Sequence, residues 1–257
     1  MSNLIHSTAI VDKGSVIGDN VEIGPFSIVE KNVIIGDNTK ISSNVLIKEH
    51  STIGSDCQIF KGAVIGEIPM DLKFEGEKSS IEIGDRTTVR EFCTLHRGTK
   101  DKKVTTIGSD CLLMSYSHVA HDVIIGNNVI ISISVNIAGH AEVDDYAIIG
   151  GCTPIHQFCK VGKHAFIGGG RLILQDVPPY ILATGEPLKY AGINSVGLRR
   201  RNFSASSRTQ IKKAYNLIYQ SELNLSQAIN KIKNDFEKTD EIAVILKFVE
   251  RSDRGLI

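Results

Sequence analysis

Aliphatic side chains recur at every sixth position from Ile5 to Ile173, a spacing that neither an α-helix nor a simple β-strand produces. Of the 29 positions in this phase, 26 are isoleucine, valine or leucine. Glycine often follows the aliphatic residue, and aspartate or asparagine often comes next, as in the sequence Ile-Gly-Asp-Asn at residues 17–20. Because these residues tolerate the backbone conformations of tight turns, each six-residue unit predicts a short strand followed by a corner.

A strict six-residue repeat is typical of a hexapeptide β-helix, in which three units complete one triangular coil. One aliphatic side chain per unit points into the prism, and each contributes about 1.5–3 kcal/mol when it is fully buried. Strands of successive coils then pair in parallel through backbone hydrogen bonds. The pattern therefore predicts a mainly β fold, with a parallel β-helix over residues 1–177.

Two polar segments interrupt the repeat, at residues 67–80 and 98–105. Both lose the aliphatic phase, and the first contains Pro69. They are expected to form loops that leave the prism. Loops on a rigid scaffold often carry functional residues, so both segments are candidate parts of a site.

The six-residue pattern ends after Ile173, and Pro178 and Pro179 mark a boundary. Beyond this boundary apolar residues recur three and four positions apart, which is the period of an α-helix. The sequence therefore predicts a small C-terminal domain of about three helices over residues 178–257. Three polar residues are expected to cap these helices at their N-termini: Ser204, Ser226 and Thr239.

Composition narrows the functional class. Hydrophobic residues make up 42% of the chain, which is too much for a disordered protein. The 29 basic and 29 acidic residues balance, whereas a nucleic-acid-binding protein usually carries a basic excess. Residues 178–257 nevertheless hold 13 basic and 8 acidic residues, a net charge of +5. This basic region is expected either to meet an acidic partner or to be an ordinary solvated surface.

The cysteines and the apolar segments bear on localisation. Five cysteines without a Cys-x-x-Cys pair fit a reducing compartment better than a disulfide framework. No stretch approaches the length of apolar sequence that spans a membrane, and the first residues have no signal-peptide pattern. We therefore expect a cytoplasmic protein without a transmembrane segment.

Histidines are concentrated in the second half of the repeat, where five of the eight lie between residues 96 and 156. The coil geometry places His140 almost directly above His121, with His118 about half a unit away. A neutral imidazole at position 121 could act as a general base, with Asp122 orienting it. Three histidines could instead hold zinc with an open coordination position, as in β-helix carbonic anhydrases. The residues alone leave both chemistries open.

Eight stretches are more specific than the repeat itself: Ile65-Gly-Glu-Ile-Pro-Met-Asp-Leu-Lys73, Thr94-Leu-His-Arg-Gly-Thr99, His118-Val-Ala-His-Asp122, Ala138-Gly-His140, His156-Gln-Phe-Cys159, Gln175-Asp-Val-Pro-Pro-Tyr180, Asn194-Ser-Val-Gly-Leu-Arg-Arg-Arg201 and Arg251-Ser-Asp-Arg-Gly-Leu256. In these stretches the sequence resembles the bacterial UDP-N-acetylglucosamine O-acyltransferases, which begin lipid A biosynthesis. The likeness covers nearly the whole chain. It implies a left-handed parallel β-helix followed by a small C-terminal α-helical domain, assembled as a homotrimer with sites between subunits.

The implied reaction transfers a 3-hydroxyacyl chain from acyl carrier protein to the glucosamine 3-hydroxyl of UDP-N-acetylglucosamine. Acyl carrier proteins are acidic, so the basic C-terminal region gains an expected partner. The donor carries its own thioester on phosphopantetheine, so the resemblance implies neither a cofactor nor a metal. Two alternatives stay open: acylation of a 3-amino sugar analogue, and a zinc-dependent carbonic anhydrase-like protein or purely structural solenoid.

By the family pattern His121 is the general base, Asp122 orients it, and the backbone N–H of Gly139 stabilises the oxyanion. The residues matched to the sugar and phosphates are Asp71, Lys73, His96, His118, His140 and Gln157. The residues matched to the nucleotide are Asn194, Arg200 and Arg201, and those matched to the acyl-chain groove are Phe166, Gly169 and Pro187. A glycine at 169 leaves the far end of that groove open, which implies a long acyl chain.

Two positions depart from the family pattern. Met70 stands where the family often has glutamine beside the acceptor aspartate, and Val196 replaces an acidic residue that helps to bind the nucleotide in some members. The first departure bears on whether a 3-hydroxyl or a 3-amine is recognised. The second bears on the uridine contacts and leaves the chemistry unaffected.

Overall fold

The computed structural model describes residues 3–257, and most of this range is a three-sided prism of short strands. Its strands are β1 (Leu4–Ile5), β2 (Ile10–Val11), β3 (Val16–Ile17), β4 (Glu22–Ile23), β5 (Ile28–Val29), β6 (Ile34–Ile35), β7 (Lys40–Ile41), β8 (Leu46–Ile47), β9 (Ser51–Ile53), β10 (Gln58–Ile59), β11 (Val64–Glu67), β12 (Ser80–Ile83), β13 (Thr88–Val89), β14 (Thr94–His96), β15 (Val104–Ile107), β16 (Leu112–Leu113), β17 (His118–Val119), β18 (Ile124–Ile125), β19 (Ile130–Ile131), β20 (Asn136–Ile137), β21 (Glu142–Val143), β22 (Ile148–Ile149), β23 (Pro154–Ile155), β24 (Lys160–Val161), β25 (Phe166–Ile167), β26 (Ile181–Thr184) and β27 (Lys189–Ile193). The helices that follow are α1 (Ser195–Arg200), α2 (Ala205–Tyr219), α3 (Leu225–Asp235) and α4 (Asp240–Glu250).

Most six-residue units form one short strand whose last residue faces the interior. In β6, for example, Ile34 is 47% exposed and Ile35 is 1% exposed. The corner residue three positions after the inward side chain adopts a left-handed conformation, with φ of +57° at Asn20 and +59° at Asp122. Asparagine and aspartate tolerate this conformation better than most residues, which explains their recurrence at the corners.

Consecutive strands lie on successive faces of the prism, so every third strand belongs to the same sheet. The three sheets contain, in order, β1-β4-β7-β10-β13-β16-β19-β22-β25-β26-β27, then β2-β5-β8-β11-β14-β17-β20-β23, and then β3-β6-β9-β12-β15-β18-β21-β24. All pairs are parallel except β26 with β27. The coil is left-handed, and the fold class predicted from the repeat and the resemblance is confirmed.

The two predicted loops leave the stacking of coils intact. Paired residues are 18 positions apart where the coils are regular, as for Ile131 and Ile149. The spacing lengthens to 30 between Ile65 and Leu95 and to 24 between Leu95 and Val119. The extra residues are therefore carried outside the prism while the inward side chains stay in register.

The boundaries of both loops and of the helical domain differ from the sequence prediction. The first loop spans residues 68–79, because β11 ends at Glu67 and β12 begins at Ser80. The second loop ends at residue 103, because β15 begins at Val104. Residues 181–193, predicted to belong to the helical domain, form β26 and β27, so the helices begin only at Ser195. Ile181 and Ala183 are fully buried, and β26 extends the sheet beside β25. The paired residues are 16 positions apart instead of the regular 18, so the six-residue phase does not reveal this pairing.

The helix N-termini follow the prediction at two of three positions. Ser204 caps α2 and Thr239 caps α4, each accepting a backbone N–H of the first turn. At α3 the cap is Asn224 rather than Ser226. Asn224 and Gln227 exchange side-chain and backbone hydrogen bonds, a capping box that starts the helix two residues earlier.

The helical domain and the C-terminal tail are tied to the last coils. The buried Tyr215 donates its hydroxyl to the carbonyl of Pro179 at 2.6 Å. Asp176, which is fully buried, accepts from the Lys160 N–H and from the Ser252 hydroxyl at 2.7 Å each. The tail therefore packs on the prism, and the core of the strands continues into the helices.

Candidate active site

The corners of two successive coils bring the predicted catalytic side chains together. His121 and Asp122 follow β17, and His140 occupies the same corner one coil further on, with φ of +61°. The rings of His121 and His140 meet edge to face with centroids 5.1 Å apart. On its other side the His140 ring stacks on Phe158, 4.6 Å between centroids. Stacked corners therefore fix the orientation of both imidazoles.

His121 and Asp122 form a hydrogen-bonded pair, with 2.9 Å between Nδ1 and Oδ2. Burial by itself raises the pKa of the fully buried Asp122, but hydrogen bonds from Thr99 and His121 outweigh it and hold this pKa below its ordinary value. The ionised carboxylate can only accept, so Nδ1 carries the proton and Nε2 is left as the basic nitrogen. The pair therefore has the geometry of an oriented general base.

Gly139 lies against the His121 ring. A Cβ at this position would come within 2.6 Å of Cε1 and 2.7 Å of Nε2, so only glycine lets the imidazole lie here. Among the hydrogen bonds of residues 3–257, none uses the Gly139 N–H as a donor. This free N–H can donate a hydrogen bond to the negative charge that develops on the oxygen of a reacting carbonyl.

Two further histidines face the same cleft. The rings of His96 and His118 lie 5.1 Å apart, with Nδ1 of His96 donating to the Ile68 carbonyl at 2.6 Å and Nδ1 of His118 2.8 Å from the Thr94 hydroxyl. Burial lowers the pKa of His118 to about 4 and also lowers the pKa of His96. Both imidazoles are therefore neutral near pH 7 and suited to bind polar substrate groups by hydrogen bonding.

These side chains line a cleft of about 330 Å³, within the range of small-molecule sites. The cleft is lined by Met70, His96, His118, Ala120, His121, Asn136, Ile137, Ala138, Gly139, Pro154 and Ile155. Met70, at 74% exposure, comes from the loop between β11 and β12. The first predicted loop therefore contributes to the cleft.

Some predicted sugar-binding residues do not line this cleft. Asp71 and Lys73 lie in the same loop as Met70, where the Asp71 carboxylate accepts the Lys73 N–H at 3.0 Å. Gln157 is exposed at a corner beyond Gly139. His140 contacts the cleft through the ring of His121 rather than directly.

The predicted nucleotide residues lie in another part of the chain. Asn194 caps α1 and donates its side-chain amide to the His164 carbonyl at 3.0 Å. Arg201 covers the Tyr146 ring at 4.3 Å, in a second cleft of about 370 Å³, and Arg200 is exposed. Within one chain these residues do not join the histidine cleft.

The predicted acyl-chain residues lie in the last strands of the prism and in the segments that follow them. Phe166 belongs to β25, and Gly169 follows it in an exposed segment. Pro187 lies in the turn between β26 and β27, which continues the same sheet. A Cβ on Gly169 would lie 3.0 Å from the carbonyl oxygen of Gly151 on the neighbouring coil.

A metal is the competing use of these groups. His121, Asp122 and His140 offer ligand atoms within 4.8 Å of one another. However, both oxygens of Asp122 already accept hydrogen bonds, and one of them holds the His121 ring. A metal at this point would have to displace that pair, so the donor set suits proton transfer better.

Sequence reasoning missed the cleft residues Asn136, Pro154 and Ile155, and it also missed a residue that holds the catalytic pair. The segment at residues 98–103 bends back to the corner, and Thr99 gives two hydrogen bonds to Asp122. Thr99 ends one of the motifs that carry the family resemblance, but the motif gives no indication of this contact.

Among residues 3–257, no helix combines the length and the hydrophobicity that crossing a bilayer requires.

Comparison with known proteins finds matches in both parts of the chain. Residues 14–49 and 105–132 match the bacterial transferase hexapeptide repeat, and residues 176–257 match domain 2 of the UDP-N-acetylglucosamine O-acyltransferases. The chain is thus a hexapeptide-repeat acyltransferase.

Individual relatives define the family further. The acyl-[acyl-carrier-protein]--UDP-N-acetylglucosamine O-acyltransferase of Thiobacillus denitrificans is 48% identical over 254 residues, which cover 98% of each chain. The solved structure of LpxA, a UDP-N-acetylglucosamine acyltransferase from Bacteroides fragilis, is 46% identical with a TM-score of 0.96, over 99% of this chain and 100% of that one. That of LpxA from Acinetobacter baumannii is 43% identical with the same TM-score, over 99% of each chain. The chain belongs to the UDP-N-acetylglucosamine O-acyltransferase family.

Proposed function

We propose that this protein transfers a 3-hydroxyacyl chain from acyl carrier protein to the 3-hydroxyl of UDP-N-acetylglucosamine, the first step of lipid A biosynthesis, with His121 as general base. The observation that carries the proposal is the pair His121–Asp122 opening on a cleft beside the free N–H of Gly139. The names of the relatives supply the two substrates.

The reaction needs one proton to move twice. Nε2 of His121 removes the proton from the sugar 3-hydroxyl as its oxygen attacks the thioester carbonyl, and the Asp122 carboxylate stabilises the resulting imidazolium. The carbonyl oxygen becomes an oxyanion beside the Gly139 N–H, a contact worth about 2.7–4 kcal/mol in other enzymes. When the tetrahedral intermediate collapses, the C–S bond breaks and the departing thiolate takes the proton back from His121. The products are the ester and the free phosphopantetheine thiol, and no cofactor or metal takes part.

Substrate binding completes the proposal. His96, His118 and His140 would hold the sugar together with Asp71, Lys73 and Gln157. Asn194, Arg200 and Arg201 would hold the nucleotide, because guanidinium groups bind phosphate oxygens in forked pairs. We place the site between subunits of a homotrimer, which lets the nucleotide residues of one chain approach the histidine cleft of another.

The 3-amino acceptor is kept as a second candidate because of Met70. This side chain lines the same cleft as His121, and a thioether is a poor hydrogen-bond partner for a hydroxyl. The general-base chemistry applies equally to a neutral amine, and the product would be an amide instead of an ester. Position 70 therefore supplies no strong hydrogen bond that would select the hydroxyl over the amine.

Turnover with defined substrates tests the proposal. The purified protein is given 3-hydroxyacyl carrier-protein thioesters of several lengths together with UDP-N-acetylglucosamine or its 3-amino analogue, and products are identified by mass spectrometry. We expect an O-acylated sugar nucleotide, unaffected by a metal chelator. Product from the amine alone would shift the assignment to N-acylation. No product with either acceptor, or activity lost to the chelator and restored by zinc, would overturn it.

A further inference from the structure

The segment at residues 98–103, here called the clamp loop, leaves the prism after β14 and returns over the corner that carries Asp122. Gly98 makes this return possible, because a Cβ there would lie 2.9 Å from Oδ1 of Asp122 and 2.4 Å from the backbone nitrogen of Val104. The loop is closed by the Lys103 N–H, which donates to the Thr99 carbonyl at 2.8 Å. The clamp loop is thus shaped to approach one carboxylate.

The hydrogen bonds to Asp122 come mainly from this loop. Thr99 donates its hydroxyl to Oδ2 at 2.6 Å and its N–H to Oδ1 at 3.0 Å. The Lys102 N–H lies 3.3 Å from Oδ1. Oδ2 therefore lies between the Thr99 hydroxyl and Nδ1 of His121, and Thr99 is itself only 5% exposed. Removal of the hydroxyl leaves a buried carboxylate oxygen with one donor fewer.

A chain of ion pairs braces the clamp loop from behind. The Lys102 ammonium lies 3.5 Å from one oxygen of Glu142, and the other oxygen accepts from Arg251 at 3.0 Å. Arg251 is the C-cap of α4. The clamp loop, which holds Asp122, is thus connected through Glu142 to the end of the helical domain.

We infer that Thr99 is a positioning residue of the acyl transfer, holding the Asp122 carboxylate ionised and aligned so that His121 keeps its basic Nε2 toward the acceptor. The inference rests on the proposed function. A buried carboxylate with fewer hydrogen-bond donors binds a proton more strongly. Its less stabilised negative charge also makes the imidazole hydrogen-bonded to it bind a proton more strongly. Loss of the hydroxyl should therefore raise the apparent pKa of the coupled pair.

Other titratable and charged groups around the pair set the background for this shift. They are His140, 3.8 Å from Oδ2 of Asp122, Asp101 and Lys102 on the clamp loop, Glu142 on β21 and His96 on β14. All of them are retained when Thr99 is replaced. A change in the pH profile can therefore be assigned to the lost hydroxyl.

The test compares Thr99→Val, which keeps the shape, with Thr99→Ser, which keeps the hydroxyl. Thr87→Val is the matched control. The Thr87 hydroxyl is also buried and donates a hydrogen bond of 2.8 Å to the Gly108 carbonyl, and neither residue belongs to the site. The readouts are kcat and KM across pH, together with Tm. If Thr99→Val does not fold, Thr99→Ala is measured in its place.

We expect Thr99→Val to lower kcat about tenfold or more and to move the acid limb of the kcat profile to higher pH. Thr99→Ser should restore both, and Thr87→Val should lower Tm without moving the profile. A Thr99→Val enzyme with wild-type kcat and profile would overturn the inference, as would a loss of kcat with an unmoved acid limb. His121→Ala in the same series separates the two ideas: if it stays active, the proposed function itself fails.

Discussion

Replacement of Gly139 by alanine isolates the geometry of the base. A new Cβ would lie 2.6 Å from Cε1 of His121, whereas ordinary contacts begin near 3.4 Å, so the ring must move by about 0.8 Å. The backbone of Gly139 is not in the left-handed region, so alanine itself is tolerated there. The collision with the imidazole is the main effect of the change.

The expected magnitude follows from this displacement. Misplacing a reacting group by about 1 Å can reduce the rate about 100-fold, which corresponds to about 2.7 kcal/mol on the activation barrier. We therefore expect kcat of Gly139→Ala to fall by about two orders of magnitude while KM for the sugar nucleotide changes little. The assay is steady-state turnover beside thermal denaturation.

Two controls make the result decisive. Gly14→Ala places its Cβ 3.2 Å from the nearest atom, a side-chain oxygen of Asp12, and should keep the wild-type kcat. In the double variant with His121→Ala, the alanine at 139 should cost no further activity, because the ring it displaces is already gone. Wild-type kcat in Gly139→Ala, or full additivity in the double variant, would refute the reasoning.

Two further predictions concern chain length and acid stability. Gly169→Met should shift the preferred donor to a shorter acyl chain in a competition between thioesters, and an unchanged preference would remove this residue from the groove. Burial lowers the pKa of His164 to about 4. Between about pH 6.5 and 4 the unfolded chain therefore binds more protons than the folded protein, and the free energy of unfolding decreases as the pH is lowered. His164→Phe keeps the ring stacked on Tyr146 but cannot be protonated, so its Tm should drop less than that of the wild type between pH 7 and pH 5. An equal drop would show that another group dominates.

The repeat made much of the architecture predictable. An inward side chain at every sixth position is a local signal, and it located the coils and both excursions of the chain. It also placed His140 above His121, because residues one coil apart are stacked by backbone pairing. The parallel β-helix and the stacking of its corner histidines were therefore accessible from spacing alone, whereas the handedness of the coil and the role of His121 were predicted from the family resemblance.

Contacts made outside the repeat were not accessible in this way. The clamp loop lies where the six-residue phase is broken, so no spacing rule relates Thr99 to Asp122. Strand β26 pairs with β25 across residues 168–180, and Asp176 in that segment forms a β-bridge with Leu256 of the tail, which lies far away along the chain. The nucleotide residues were predicted from the family resemblance, and within a single chain they lie apart from the histidine cleft.

The central claim is that the imidazole of His121 moves the proton, and the most direct measurement is the turnover of His121→Ala beside its affinity for the sugar nucleotide. His50→Ala, at a corner outside the described cleft, is the matched control. We predict a kcat at least about 100-fold below wild type for His121→Ala, with an unchanged Kd by calorimetry and a fully active control. Near-normal turnover of His121→Ala would contradict the account.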